Sequence, residues 1–284
     1  MSPITCAQKM NYRASSRCIC AAEYFDTAQN ETIIVNWVGE PKAGGTELTV
    51  FKMGSDFKRK VVGSTKIDFT QYSIHHLSMA GGYAFMVLAP VEIKFLKTGV
   101  TTCLSCSAKD NLDSGTPTKV LVYSLVQGDE NPVNVIDIDE TDAFFVFHHI
   151  NAVLTGDDEV TLDVCAYSNM DGIIGEHVLG NLEDLNDQAT RNSMTTNCDI
   201  LRRITIDLSV MKVKSISDVP VSDNNGNSYR IELPTVSPNY VSKSYCYVYA
   251  NTNHMNGSPL YEDIGVLQFR VLFAQMPPLH FPHM

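Results

Sequence analysis

The sequence predicts an all-β fold, and three observations predict it. Short runs rich in Val, Ile, Tyr, Phe and Thr recur roughly every 10 to 20 residues along the 284-residue chain. Clusters of Gly, Pro, Asn and Asp separate them and supply the positive φ angles and local hydrogen bonds that turns require. Only one segment, Asn181–Ala189, carries a helical period, with Leu182, Leu185 and Ala189 on one face.

In chain order the first runs are Thr32–Val38, closed by the turn cluster Pro41–Gly45, then Glu47–Met53 and Tyr83–Ala89. Gly115–Pro117 precedes Lys119–Leu125, which is followed by Val133–Asp139 and Ala143–His149. After the turn Gly156–Asp158, Val160–Tyr167 alternates strictly. Val160, Leu162, Val164 and Ala166 fall on one face, and Thr161, Asp163, Cys165 and Tyr167 on the other. Leu201–Leu208 comes next, then the turn Asp223–Gly226, and finally Ser228–Leu233, Tyr245–Ala250 and Val266–Phe273. No stretch is low in complexity, so the chain reads as a single domain or part of one. Its length also suits five or six repeats of roughly 40–50 residues.

Lys and Arg number 21 against 32 Asp and Glu, a net charge of −11 that disfavours nucleic acid as a partner. The most apolar stretch, Gly81 to Leu96, is interrupted by Glu92 and Lys94, and a spanning helix is not expected. Met1 to Tyr24 carries no apolar run of the secretory kind, so reduced thiols and a cytoplasmic setting are expected for the 8 cysteines. The CxxC of Cys103 and Cys106 and the CxC of Cys18 and Cys20 lack the paired arrangement of a structural zinc site.

Four of the 8 histidines form two tandem pairs, His75-His76 and His148-His149, each in a β-like context. Neighbouring side chains on a strand point to opposite faces, so at most one histidine of each pair can reach a common site. Imidazole suits iron, zinc, copper and nickel. Spacing alone leaves open whether these are metal ligands or hydrogen-bonded core histidines.

Phe147-His148-His149-Ile150-Asn151-Ala152, followed by the hairpin Leu154–Glu159 and Val160-Thr161-Leu162-Asp163-Val164, resembles a segment of the carotenoid cleavage oxygenases. That family also includes the retinal pigment epithelium retinoid isomerase. Tyr72-Ser73-Ile74-His75-His76-Leu77-Ser78-Met79 with Tyr83 is similar to another of its segments, with His75 on the histidine. Leu201–Leu208 and Glu232–Tyr240 resemble two more, in the family's order and over roughly Ala21 to Ala250.

The resemblance implies a seven-bladed β-propeller, here incomplete, spanning residues 1–284 as one partial domain with few short helices. It implies a ferrous ion, Fe(2+), held by histidines. His75 and His148 match ligand positions, and Glu232 matches a glutamate that orients a ligand imidazole. It implies oxidative cleavage of a carotenoid or apocarotenoid double bond by O2, to aldehyde or ketone products, by a cytoplasmic enzyme in peripheral contact with membranes. For that contact it points to Leu88–Leu104. His76 and His149, on the opposite strand faces, are expected to pack or hydrogen-bond.

Two ligand positions depart from the family pattern. Ala22, or Glu23 in an offset alignment, stands at the first ligand position, and the tail carries only His280 and His283 where a fourth ligand is expected. Two functions therefore stay open: a non-haem iron carotenoid dioxygenase, and a non-catalytic carotenoid- or retinoid-binding propeller that has lost its metal.

Overall fold

The computed structural model of the chain describes residues 19–26, 31–40, 45–67, 76–89, 93–95, 104–106, 117–126, 133–138, 143–167, 199–222, 229–254 and 263–268. Within them the backbone is almost wholly strand. The strands are β1 (Ile19–Asp26), β2 (Glu31–Glu40), β3 (Gly45–Met53), β4 (Arg59–Ile67), β5 (Ser78–Ala80), β6 (Tyr83–Leu88), β7 (Ile93–Phe95), β8 (Leu104–Cys106) and β9 (Lys119–Ser124). They continue with β10 (Val133–Asp137), β11 (Phe145–Leu154), β12 (Glu159–Tyr167), β13 (Asp199–Asp207), β14 (Lys212–Val219), β15 (Tyr229–Thr235), β16 (Tyr247–His254) and β17 (Asp263–Gln268). The proposed helix Asn181–Ala189 lies outside the described residues. No described helix is long and apolar enough to cross a membrane.

Pairing is antiparallel throughout and follows chain order: β1-β2-β3-β4, then β5-β6-β9-β10, then β11-β12-β13-β14, then β15-β16-β17, with β7-β8 a hairpin between β6 and β9. These meanders are the blades of a β-propeller, three of four strands and one of three, stacked face to face in sequence. One apolar layer joins the first blade to the second through Ile33, Leu48 and Val50 against Met86 and Leu121. A second joins blades two and three through Phe85 and Val122 against Leu162 and Val164. A third joins blades three and four through Cys165 and Leu201 against Ile231 and Val248.

The alternation of β12 acquires its meaning here. Val160, Leu162, Val164 and Ala166 face the second blade, while Cys165 on the other face meets the fourth, so the strand is buried on both sides. The outer strand β14 behaves differently. It carries Lys212 and Lys214, both exposed, which blunt an edge that would otherwise recruit another chain.

Glycine is required at two places. The turn between β5 and β6 is the two-residue loop Gly81-Gly82, with φ of 58° and 82°, as the favoured hairpin turns demand. On β4, beside a bulge opposite Val50 and Phe51, a Cβ on Gly63 would overlap the hydroxyl of buried Tyr123. Gly63→Ala is therefore expected to destabilise the chain by roughly 1–3 kcal/mol, the usual cost of overpacking. A urea midpoint equal to that of the parent would contradict this.

Candidate metal centre

The first strands of successive blades, β5, β11 and β15, pack beside one another, and His76, His148 and His149 sit at this junction. β11 carries irregular pairing between Val146 and His149 and again between His149 and Asn151. β15 carries another between Glu232 and Thr235, where Leu233 takes a φ of 50°. Such bulges re-aim side chains without ending a strand. The result sends His148 toward β15 and His149 toward β5 and β6.

His148 Nδ1 lies 2.5 Å from Glu232 Oε2. Glu232 is only 5% exposed, and its two oxygens receive two more donors. The Tyr167 hydroxyl donates to Oε1 at 2.5 Å and the Leu233 N–H to Oε2 at 2.5 Å. Three hydrogens converging on one carboxylate suit its ionised, acceptor-only form. In neutral His148 this network assigns the ring proton to Nδ1 and leaves the lone pair on Nε2. A histidine whose far nitrogen is held by a carboxylate is the arrangement in which imidazole binds metals best.

The two neighbouring histidines are arranged differently. His149 is 2% exposed, with Nδ1 2.9 Å from Ser78 Oγ and Nε2 accepting from the Val87 N–H at 3.4 Å. Both of its nitrogens are spent on the fold. Burial, and then the neighbouring His76 and His148, push its pKa well below the usual 6.5. The His76 ring is 5.8 Å from that of His148, but its Nδ1 accepts the His149 backbone N–H at 2.9 Å. Neutral His76 therefore carries its proton on Nε2, the wrong tautomer for binding a metal through that nitrogen.

Because the folded chain keeps His149 neutral while the unfolded chain protonates near pH 6.5, His149 contributes stability that is full above that pH. The contribution falls on acidification toward the lowered folded value. Metal-free parent protein is thus expected to lose stability more steeply below about pH 6.5 than His149→Gln. Parallel curves of urea midpoint against pH would contradict the assignment.

Asn151, two residues beyond His149, braces the same junction. Its Nδ2 donates to the carbonyls of Tyr240 and Lys243 at 3.0 and 3.2 Å, and its Oδ1 accepts from the N–H groups of Ser242 and Ala152 at 2.9 and 3.0 Å. The Ser242 hydroxyl in turn donates to the Met79 carbonyl. The loop that follows β15 is thereby tied to β11 and β5.

Of the residues singled out in the sequence, the structure brings together His148 and Glu232. His75, His280 and His283 lie outside the described residues. Ala22 and Glu23 lie in β1, paired with Val35 and Ile34. Leu88, from the stretch Leu88–Leu104, is buried rather than presented at the surface. Among the described residues no three His, Cys, Asp or Glu side chains form a metal-holding group, so His148 with Glu232 is the part of the donor set that fits. Sequence reading missed Tyr167 and Ser78. For Tyr167 the available signal was its place on the Asp163 and Cys165 face of β12.

Antiparallel blades stacked in sequence, with a carboxylate-held histidine where their first strands meet, define a β-propeller protein with a candidate ligand histidine on its inner strands. A family model described as Retinal pigment epithelial membrane protein matches residues 4–272, and the chain belongs to this family of carotenoid oxygenases and their relatives. It is 26% identical to human beta,beta-carotene 15,15'-dioxygenase over 194 residues, which is 62% of this chain and 34% of that protein. It is also 26% identical to the mouse enzyme over 199 residues, 62% of this chain and 33% of that protein. The chain thus spans about a third of the length of these curated relatives. Among solved structures, an ACO/RPE65 chimera superposes with a TM-score of 0.63 at 19% identity, covering 91% of this chain and 49% of the chimera. A Synechocystis apocarotenoid oxygenase mutant superposes with a TM-score of 0.60 at 18% identity, covering 90% of this chain and 51% of that one.

Proposed function

We propose that this chain is an iron(II)-dependent carotenoid or apocarotenoid oxygenase that cleaves a polyene double bond with O2 to give two carbonyl products. The observation that carries the reading is the His148–Glu232 pair at the junction of the inner strands. Family membership and the carotenoid dioxygenases among the relatives supply the substrate class. His148, through Nε2, and His75 would hold the ion. Bound there, ferrous iron would supply the electrons that let O2 react with a closed-shell polyene. The protein's own part is to keep Nε2 of His148 unprotonated, through Glu232. The stoichiometry balances: one C=C and one O2 give two C=O. A cytoplasmic location with peripheral membrane contact suits substrates that dissolve in lipid.

Ala22 favours a second reading, since alanine offers no donor at the position where the resemblance places the first ligand. A metal-free propeller could still bind a carotenoid without cleaving it. Incubation with ferrous iron, O2 and β-carotene separates the two. The oxygenase reading expects aldehyde products by chromatography, absent from His148→Ala. A shifted carotenoid absorption band with no aldehyde, with or without iron, would establish the binding protein instead.

A further inference from the structure

We propose that Tyr167 is a positioning residue of this site, holding one oxygen of the Glu232 carboxylate so that the other stays on the His148 ring. The proposal rests on the reading of His148 as a metal ligand, though its primary readout needs no metal. Tyr167 ends β12, opposite Phe145 on β11 and Asp199 on β13, and it is 3% exposed. Its ring stands edge-on to Phe147 at 6.0 Å and tilted against Phe145 at 6.3 Å, so the phenol has a fixed direction. That direction ends 2.5 Å from Glu232 Oε1.

The geometry of the carboxylate shows why this bond matters. The last torsion of a glutamate is broad and roughly two-fold, so the carboxylate plane is set by its partners. His148 Nδ1 and the Leu233 N–H both bond Oε2. Rotation about the Cγ–Cδ bond moves both oxygens together, so donors on both hold the carboxylate against that turn more firmly than donors on Oε2 alone. Tyr167 supplies the donor on the other oxygen. Without it, a buried Oε1 loses its donor, and the carboxylate gains by rotating toward any other hydrogen within reach. His148 would then lose the bond that selects its Nδ1–H tautomer, and for part of the time the proton would sit on Nε2, the nitrogen that a metal needs.

The test is the ring nitrogen spectrum of His148 in the metal-free full chain, labelled with 15N-histidine and followed over a pH series so that the neutral ring is read directly. Its signals are assigned by their loss in His148→Ala. The parent is expected to show the Nδ1–H tautomer alone and Tyr167→Phe a mixture, with the His149 signals unchanged as the internal check on folding. An unchanged His148 pattern in a folded Tyr167→Phe overturns the proposal. Should that variant not fold, a fluorinated tyrosine at position 167 keeps the size and makes the hydroxyl a stronger donor. The His148 Nδ1 proton is then expected to move upfield, and no movement overturns the proposal.

Cobalt(II) titration of the same proteins tests the underlying reading separately. Tyr167→Phe is expected to bind about tenfold more weakly, at the low end for partners behind a ligand. A parent that binds no cobalt while Tyr167→Phe still shifts the tautomer would overturn the metal reading and leave the positioning role in place.

Discussion

Asp163→Ala is expected to destabilise the chain by about 3 kcal/mol, a large share of the stability of a single domain. The Asp163 side chain is 4% exposed and accepts a bidentate pair from Arg203, Nε at 2.7 Å and Nη2 at 2.8 Å. Its Oδ2 also accepts the hydroxyl of Tyr245, itself 4% exposed. The hydrogen bond to Asp163 raises the Arg203 pKa, and burial followed by the Asp163 charge raises that of Tyr245 well above its usual value. Both donors are thus locked in their protonated forms around one carboxylate. Removing it leaves a largely buried guanidinium and a buried phenol without an acceptor. The Arg203 side chain is 25% exposed, so water compensates in part and the loss falls at the low end of what breaking a buried pair costs. The network spans β12, β13 and Tyr245, two residues before β16, so the loss should also loosen the fourth blade against the third. Glu159→Ala, which removes the partner of the 61% exposed Lys214, is the control and should cost far less. Equal shifts of the two urea midpoints would contradict the account.

Glu232→Gln is expected to weaken divalent metal binding by about 10- to 100-fold while leaving the fold intact. The exchange preserves size. It replaces an acceptor of three hydrogen bonds with an amide whose NH2 must point at one of the donors now bonded to Oε1 or Oε2. Whichever way the amide turns, His148, Leu233 or Tyr167 faces a donor. If His148 is the one displaced, its Nδ1–H loses its acceptor and the ring its preferred tautomer. Anaerobic titration with ferrous iron, followed by calorimetry, measures the effect. An affinity equal to that of the parent would show that the short His148–Glu232 contact has no bearing on metal binding.

Most of the blade architecture was legible because the inner and middle strands are sequence-local and strongly patterned. Strands such as β12 announce themselves through β-branched residues and strict alternation. The outer strands β4 and β14 were not legible, although β10 was. In β14 the half-buried positions Val213, Ile216 and Val219 fall three apart, because a bulge opposite Thr205 and Ile206 adds a residue and Val219 turns to the other face. β4, from Arg59 to Ile67, hides behind its charges and a bulge in the same way. Of the site, alternation foresaw that His148 and His149 would part ways. The partners were beyond reach, because Glu232 lies 84 residues after His148 and 65 residues after Tyr167. Only the stacking of the third and fourth blades joins them. The tautomer that sets His76 apart from His148 depends on a backbone N–H 73 residues away, which no motif encodes.

In the proposed function His148, held through Nδ1 by Glu232, presents Nε2 to a metal ion. The most direct measurement is equilibrium binding of ferrous iron under anaerobic conditions to the parent chain and to His148→Ala. Saturable binding near one ion per parent chain, weakened by about 100-fold or more in His148→Ala, is the expected result. Identical isotherms for the two proteins would contradict it.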